Sequence, residues 1–232
     1  MNENAMTLSR LPPPLLAWYR ASARDLPWRK TRDPYRVWVS EIMLQQTRVA
    51  AVLGYYARFL EEAPDVAALA ALPEDRLLKL WQGLGYYNRA RNLQRAARVI
   101  VEEGGGAFPA AYAAVRALPG VGDYTAGAVC SIALGQAAPA VDGNVLRVYA
   151  RICGDGGDIT APRMKQKVTR AVGEIIPLNA AGTFNQALME LGATVCLPNG
   201  APLCQRCPAK GFCAALAQGR VGELPVKAPK KA

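Results

Sequence analysis

The chain has 232 residues, a hydrophobic content of 51% and a net charge of +10, so it can form one large or two small globular domains and is not a disordered chain. It contains no histidine, which excludes Ser-His-Asp catalysis, Cys-His catalysis and every histidine-ligated metal site. The excess of basic residues favours nucleic acid as a partner, although many basic proteins bind none.

The apolar pattern is helical almost throughout the chain, because apolar residues recur at spacings of three and four. The predicted helical segments, in chain order, are Tyr35–Ala51, Val66–Leu72, Arg76–Trp81, Arg89–Glu102, Tyr124–Leu134, Val145–Ile152, Met164–Ile176 and Ala181–Thr194. Turns rich in proline, glycine and aspartate separate them. We therefore predict an all-α protein with about ten or eleven helices.

The apolar runs and the first residues of the chain indicate where the protein is located in the cell. No apolar run is long enough to cross a membrane, and the first residues do not resemble a signal peptide. We therefore expect a cytoplasmic protein without a membrane partner. The final segment, residues 221–232, is rich in proline and lysine and is predicted to be a basic tail.

A glycine-punctuated hairpin followed by a carboxylate is the most informative local feature. Residues 118–128 read Leu-Pro-Gly-Val-Gly-Asp-Tyr-Thr-Ala-Gly-Ala. Gly120 and Gly122 permit positive φ and remove Cβ atoms, so backbone N–H groups can approach a ligand closely. With the helix that follows, those groups would bind an anion such as a DNA phosphate. Asp142 stands at a later helix start, so the pair indicates chemistry on a nucleotide.

Four of the six cysteines cluster near the C-terminal end of the chain. They are Cys196, Cys204, Cys207 and Cys213, whereas Cys130 and Cys153 lie in apolar helical stretches as predicted packed thiols. Structural zinc usually uses two separated pairs of close cysteines, and here only one Cys-x2-Cys pair occurs. All-cysteine ligation also suits a [4Fe–4S] cluster. The spacing favours iron–sulfur and leaves zinc open.

These features, with five longer motifs, resemble the helix-hairpin-helix DNA glycosylases of endonuclease III-like fold, and within them the adenine DNA glycosylases of MutY type. The longer motifs lie at residues 26–29, 38–47, 83–93, 141–145 and 184–192, and the short motif Asp33-Pro34-Tyr35 stands with them. The resemblance covers about residues 15–213. It implies a six-helix barrel with the hairpin over residues 28–133 and a cluster lobe made of residues 1–27 and 134–220. The DNA site would lie in the cleft of these two lobes.

The resemblance also implies a mechanism with two carboxyls of opposite roles. Glu41 would protonate adenine at N7, which requires a carboxyl whose pKa is raised by burial. Asp142 would stay ionised and stabilise the developing oxocarbenium ion. Tyr124 and Asn144 would orient Asp142 or the sugar phosphate. Because glycosylase/lyases of this superfamily carry a Schiff-base lysine where this chain has Tyr124, we expect base excision with little or no strand cleavage.

Further residues are assigned by the same resemblance. The expected wedge residues that enter the base stack are Gln46 and Tyr86, with Thr47 and Leu84 beside them. The expected base-pocket residues are Arg24, Trp28, Arg29, Gln186 and Glu190, and the four clustered cysteines would bind a [4Fe–4S] cluster. The partner would be double-stranded DNA with adenine opposite 8-oxoguanine or guanine. The protein would be a bacterial, nucleoid-associated monomer.

Three departures from the family pattern and three alternative functions stay open. Seven residues rather than six separate Cys196 from Cys204, and Asp123 replaces a residue that is often basic in relatives. The given sequence ends after the cysteine cluster, before the second domain with which full-length relatives read 8-oxoguanine, so a preference for 8-oxoguanine over guanine is not predicted. A mismatch thymine glycosylase could also carry Tyr124, but thymine has no N7 for Glu41 to protonate. Endonuclease III-like action is disfavoured by Tyr124, and a non-catalytic DNA-binding module would leave both carboxyls facing solvent.

Overall fold

The computed structural model describes residues 3–228, and every regular element in that range is a helix, which confirms the predicted all-α class. The α-helices of the described residues are α1 Glu3–Ser9, α2 Pro12–Ser22, α3 Pro34–Leu44, α4 Val49–Glu62, α5 Val66–Ala71, α6 Glu74–Trp81, α7 Asn88–Gly104, α8 Tyr112–Ala117, α9 Asp123–Ile132, α10 Gly143–Ile152, α11 Pro162–Ile175, α12 Ala181–Thr194 and α13 Ala214–Ala217. Short 3-10 turns occupy Pro27–Arg29 and Cys204–Arg206. None of these helices has the length and hydropathy that a membrane crossing requires.

The helices form two compact units. One unit holds the described residues up to Arg24 and from Gly135 onward, and the other holds Asp25–Leu134. The predicted lobe boundaries, 27/28 and 133/134, lie close to these divisions. The barrel and cluster-lobe assignments of the two segments stay predictions.

Helix α3 is the centre of the unit formed by Asp25–Leu134, where it packs against α4, α7 and α9. Its start follows from the sequence Asp33-Pro34: the Asp33 carboxylate accepts a hydrogen bond from the Tyr35 N–H at 2.9 Å, and proline occupies the first helical position. From Val37 to Met43 every residue except one charged position is apolar or small, and all are buried. A helix surrounded in this way has its polar side chains taken out of water.

Helix α10 is the centre of the other unit, where it contacts α11, α12 and α13. Its apolar positions, including Val145, Val148 and Tyr149, join a core that also contains residues of α2, α11 and α12. Asp142 is the N-cap residue of this helix. The fold therefore places one candidate carboxylate at the start of a central helix.

Two predicted segments differ from the structure. The predicted helix Tyr35–Ala51 ends at Leu44, because Gln46 adopts a left-handed conformation with φ of 57°, and α4 begins only at Val49. The predicted tail is anchored at its start: the Leu224 side chain is buried and its carbonyl accepts a hydrogen bond from Arg151 Nε at 2.8 Å. Residues 229–232 of that predicted tail lie outside the described residues.

Candidate active site

Glu41 lies in the middle of α3 and is one of the few buried acidic side chains among the described residues. The Tyr124 hydroxyl, at the start of α9, donates a hydrogen bond of 2.6 Å to Glu41 Oε2. Glu41 as a whole residue is 6% exposed. Glu41 therefore does not face solvent, as it would in a non-catalytic DNA-binding module.

Asp142 receives hydrogen bonds on both carboxylate oxygens. The Val145 N–H donates to Oδ1 at 2.8 Å, as at an N-cap, and Asn144 Nδ2 donates to Oδ2 at 2.7 Å. Burial raises the pKa of the Asp142 carboxyl above its usual range, while these two donors and the charge of Arg147 act to lower it. Asn144 is therefore placed to orient Asp142, as predicted.

Arg147 joins Asp142 to the cysteine-bearing loop within the same unit. Its Nη2 donates to Asn144 Oδ1 at 2.8 Å, and its Nε donates to the Cys196 carbonyl at 2.8 Å. Asn144 packs directly against Gly192, because a Cβ at position 192 would stand 2.5 Å from the Asn144 Cβ. The chain of contacts Asp142–Asn144–Arg147–Cys196 was missed by the sequence reasoning. Its one sequence signal is an arginine three residues after Asn144, on the same helical face.

One of the two hairpin glycines, Gly120, adopts positive φ. Gly120 has φ of 75°, and a Cβ there would meet the Asn92 Cβ at 2.7 Å. Gly122 does not use this freedom: φ is −98° and ψ is 176°, because this residue is the extended N-cap of α9. Asp123 follows it, and Arg116 Nε donates to Asp123 Oδ1 at 2.6 Å. That ion pair offsets the acidic charge next to the expected phosphate site.

The predicted wedge residues lie in two separate turns of the Asp25–Leu134 unit. Gln46 and Tyr86 are both exposed, Tyr86 to 62%, whereas Leu84 is buried and Thr47 is half-buried. Gln46 and Tyr86 are also the two non-glycine residues with positive φ among the described residues. Arg89, which the sequence reasoning passed over, contacts both turns.

Each contact described below joins a predicted base-pocket residue to a partner in the same unit. Arg24 binds Glu190 in a bidentate manner, with Nε 2.8 Å from Oε1 and Nη2 2.6 Å from Oε2, and this hydrogen-bonded partner raises the pKa of Arg24. The Tyr19 hydroxyl donates to Gln186 Oε1 at 2.9 Å. Trp28 and Arg29 form the 3-10 turn Pro27–Arg29, and the Trp28 indole packs edge-on against Tyr56 with ring centroids 5.4 Å apart.

The four clustered cysteines surround one cavity. Cys196, Cys204, Cys207 and Cys213 all line it, together with apolar residues such as Val148 and Leu191. All four are free thiols, and burial raises the pKa of Cys207 to about 11. Among the described residues no three cysteine or acidic side chains are close enough to hold a single metal ion.

Arg151 and the loop after Cys196 complete this region. Arg151 Nη1 lies 3.3 Å from Cys196 Sγ and donates to the Leu197 carbonyl at 2.8 Å. The base of the loop is closed by the Leu203 N–H, which donates to the Val195 carbonyl at 2.9 Å. The residues from 198 to 201 form an exposed bend.

Comparison with protein families and with relatives agrees with this fold. Residues 39–174 match the family described as "HhH-GPD superfamily base excision DNA repair protein". The chain is 46% identical to the adenine DNA glycosylase of Rattus norvegicus over 91% of its own length and 43% of that relative. It is 40% identical to the adenine DNA glycosylase of Mycobacterium tuberculosis, covering 84% of this chain and 64% of that relative. The chain thus spans less than two thirds of the length of these relatives.

Two solved structures are similar in fold. A thermostable thymine-DNA glycosylase superimposes with a TM-score of 0.84 at 29% identity, over 94% of this chain and 100% of that one. An endonuclease III in a non-covalent DNA complex superimposes with a TM-score of 0.74 at 24% identity, over 91% of this chain and 97% of that one. The expected endonuclease III-like fold is confirmed.

Proposed function

We propose that this chain, which belongs to the HhH-GPD superfamily of base excision DNA repair proteins, removes adenine that is mispaired with 8-oxoguanine or guanine in double-stranded DNA. The observation that carries the proposal is the pair of carboxyls with opposite surroundings. Glu41 is buried beside a neutral phenol, whereas Asp142 is held by a backbone N–H and an amide near a guanidinium. Acid-assisted cleavage of an N-glycosidic bond needs one carboxyl of each kind.

Glu41 acts first as the acid. Adenine inside a duplex is inaccessible, so the nucleotide is flipped out of the stack before the reaction. Glu41 gives its proton to N7, the bond from C1′ to N9 breaks, and the bonding electron pair leaves with the neutral base. The sugar cation that remains is stabilised by the carboxylate of Asp142. A water molecule then adds to C1′, and the Glu41 carboxylate takes the proton that the water releases.

Tyr124 excludes a lyase reaction that begins with a Schiff base at this position. Its phenol cannot form a Schiff base with the sugar, so water is the nucleophile and the product is an intact strand with an abasic site. Tyr124 instead donates its hydroxyl hydrogen to Glu41 and holds that carboxyl in place. Asn144 does the same for Asp142.

DNA contacts are assigned to the hairpin and the two wedge turns. The turn at Gly120 and Gly122 and the start of α9 bind a backbone phosphate, and Arg116 supplies positive charge beside Asp123. Gln46 and Tyr86 enter the base stack, with Thr47 and Leu84 behind them. The base-pocket residues are Arg24, Trp28, Arg29 and Gln186. The enzyme acts as a monomer on the bacterial nucleoid.

The four clustered cysteines fit a [4Fe–4S] cluster. Each thiolate of such a cluster binds a different iron, so its ligands surround a larger space than the ligands of one zinc ion do. The cavity lined by Cys196, Cys204, Cys207 and Cys213 supports this ligand set. When bound, the cluster would cross-link residues 196–213 through four thiolate–iron bonds. Arg151, beside Cys196 Sγ, would offset part of the thiolate charge.

Incubation with end-labelled duplexes tests the proposal. The expected result is loss of adenine opposite 8-oxoguanine or guanine, seen as strand breaks that appear only after alkali. Duplexes with thymine opposite guanine, or with an oxidised pyrimidine, test the alternative activities. Breaks at thymine alone would favour a mismatch thymine glycosylase, breaks without alkali would show a lyase, and binding without any abasic product would support a non-catalytic module.

A further inference from the structure

Arg89, the second residue of α7, binds the turn that follows α3. Its Nη1 donates to the carbonyl oxygens of Ile42 at 2.8 Å, Met43 at 3.1 Å and Gln45 at 2.5 Å. Its Nη2 lies 3.4 Å from Thr47 Oγ1. These acceptors include the last carbonyls of α3, which have no partner inside their own helix. One guanidinium therefore satisfies the helix end and the turn that carries Gln46.

The same guanidinium binds a second turn, residues 82–87. Nη2 donates to the Leu84 carbonyl at 3.1 Å and to the Gly85 carbonyl at 3.2 Å. The guanidinium carbon also lies 5.6 Å from the ring centroid of Tyr86 and 5.5 Å from that of Trp81. Trp81 is fully buried, so it forms a fixed platform under the cation.

Both turns hold a non-glycine residue in a conformation that costs energy. Gln46 has φ of 57° and Tyr86 has φ of 47°. Left-handed backbone at such residues persists only where surrounding contacts enforce it. Each of the two residues follows directly after a carbonyl that Arg89 binds, those of Gln45 and Gly85. A planar fork with several donors can hold two turns at once, whereas an ammonium group cannot.

We propose that Arg89 is a positioning residue that sets the two turns in one arrangement in the free protein, so that Gln46 and Tyr86 enter the base stack together. The inference rests on the proposed function, since it assumes that the enzyme extrudes a nucleotide. Arg89 does not reach the reacting atoms in this account. It lowers the cost of base extrusion by holding the strained backbone of both turns before DNA arrives.

The test compares Arg89→Lys with Arg98→Lys, a control on the same helix in which an exposed arginine binds one carbonyl, that of Ala70. Single-turnover excision is measured on a duplex with adenine opposite 8-oxoguanine and on a duplex with the target adenine in a one-nucleotide bulge. R89K is expected to lose about 10- to 100-fold on the paired duplex. It should lose less than about threefold on the bulge, because an unpaired base is already easier to extrude. R98K should match the wild type on both.

The outcomes separate the inference from the proposed function. Equal losses of R89K on the two duplexes, or no loss on the paired one, overturn the role of Arg89 while adenine excision by the wild type still stands. Absence of adenine excision by the wild type overturns the proposed function itself.

A measurement on the free wild type covers the case in which R89K does not fold. Within the two turns, the Thr47 N–H donates to the Leu44 carbonyl at 3.2 Å and the Leu84 N–H donates to the Trp81 carbonyl at 3.0 Å. If the turns are preset, both amides exchange slowly with deuterated solvent in the absence of DNA. Exchange as fast as in an unstructured peptide would refute the inference.

Discussion

Each unit of the molecule is centred on one helix that holds a candidate catalytic carboxyl, but the carboxyls occupy different positions on their helices. Glu41 is in the middle of α3, where every neighbouring N–H is used inside the helix. Asp142 is at the N-cap of α10, where free N–H groups and the positive end of the helix dipole favour an anion. Position along a helix thus gives the two carboxyls different donors, because the N–H groups of a helix start are available to Asp142 and not to Glu41.

The side chains that hydrogen-bond to the two carboxyls also differ. The neutral phenol of Tyr124 donates a hydrogen bond to Glu41. Asp142 has Asn144 as a donor, and Asn144 is itself bound by Arg147. Burial raises the pKa of Asp142, but the donors and the guanidinium oppose that rise. The comparison therefore predicts that charge matters at residue 142 and that a transferable proton matters at residue 41.

The largest effect is expected from Asp142→Asn, which keeps the shape of the side chain and removes its charge. Replacing a catalytic carboxylate by an amide within a preformed site costs about 10⁴-fold in rate. Single-turnover excision should fall by that order, while DNA affinity in a gel-shift titration stays close to that of the wild type. Asp158→Asn, a change of a turn aspartate in the same unit, is the matched control. Normal turnover by D142N would remove Asp142 from the mechanism.

The next largest effect is expected from Glu41→Gln, which removes the transferable proton. General acid catalysis contributes about 10²–10⁴-fold, and the loss should appear in the rate of base excision. The residual rate of E41Q should rise as the pH falls, because solvent can then protonate the base, whereas D142N should show no such gain. Glu61→Gln, an exposed change on α4 in the same unit, serves as control. A pH-independent residual rate would contradict the role of Glu41 as acid.

Loss of a cluster ligand should affect one unit and spare the other. Cys204→Ser removes one of the four cysteines that line the cavity, so the brown colour and bound iron should be lost and DNA binding should weaken. The melting temperature should fall by about 5–10 °C, since each kcal/mol shifts a domain of this size by about 2–4 °C. Amide exchange should increase around α10 and stay unchanged around α3.

The matched control for that variant is Cys153→Ala, because Cys153 is half-buried in the same unit but does not line the cavity. C153A should keep its colour and iron content. A colourless wild type that contains zinc would overturn the assignment of an iron–sulfur cluster.

Sequence patterns predicted the elements whose signals are local. The predicted helical segments, the hairpin glycine at Gly120 and the clustered cysteines follow from spacing and turn residues, whereas α1, α2, α8 and most of α4 lie outside the predicted segments. The break after Leu44 did not, because Gln46 has no intrinsic preference for a left-handed backbone, and the Arg89 side chain that binds the adjacent Gln45 carbonyl is far away in sequence. The anchoring of Leu224 by Arg151 likewise depends on a long-range contact.

Candidate site residues divide in the same way. The carboxyls Glu41 and Asp142 could be nominated from motifs, since their residue types are the reactive ones. Arg147 was not nominated, because its role is to bind Asn144 and the Cys196 carbonyl. Its spacing of three residues from Asn144 signals only the first of these two contacts. Long side chains that connect distant segments are therefore visible only once packing is known.

The smallest effect, and the one that separates the two carboxyls most sharply, is expected from Asn144→Ala. The hydrogen bond from Asn144 Nδ2 to Asp142 Oδ2 favours the ionised carboxyl and lowers its pKa. Its removal raises that pKa further, so at a given acidic pH more of the enzyme holds a protonated, inactive Asp142.

The acid limb of the single-turnover pH profile should therefore move to higher pH in N144A, with a loss at neutral pH of about two- to tenfold. Tyr124→Phe is the matched variant, because it removes one neutral donor from Glu41 instead and should leave the acid limb where it is. A shift of the acid limb in Y124F but not in N144A would mean that the limb reports Glu41, and the roles of the two carboxyls would have to be exchanged.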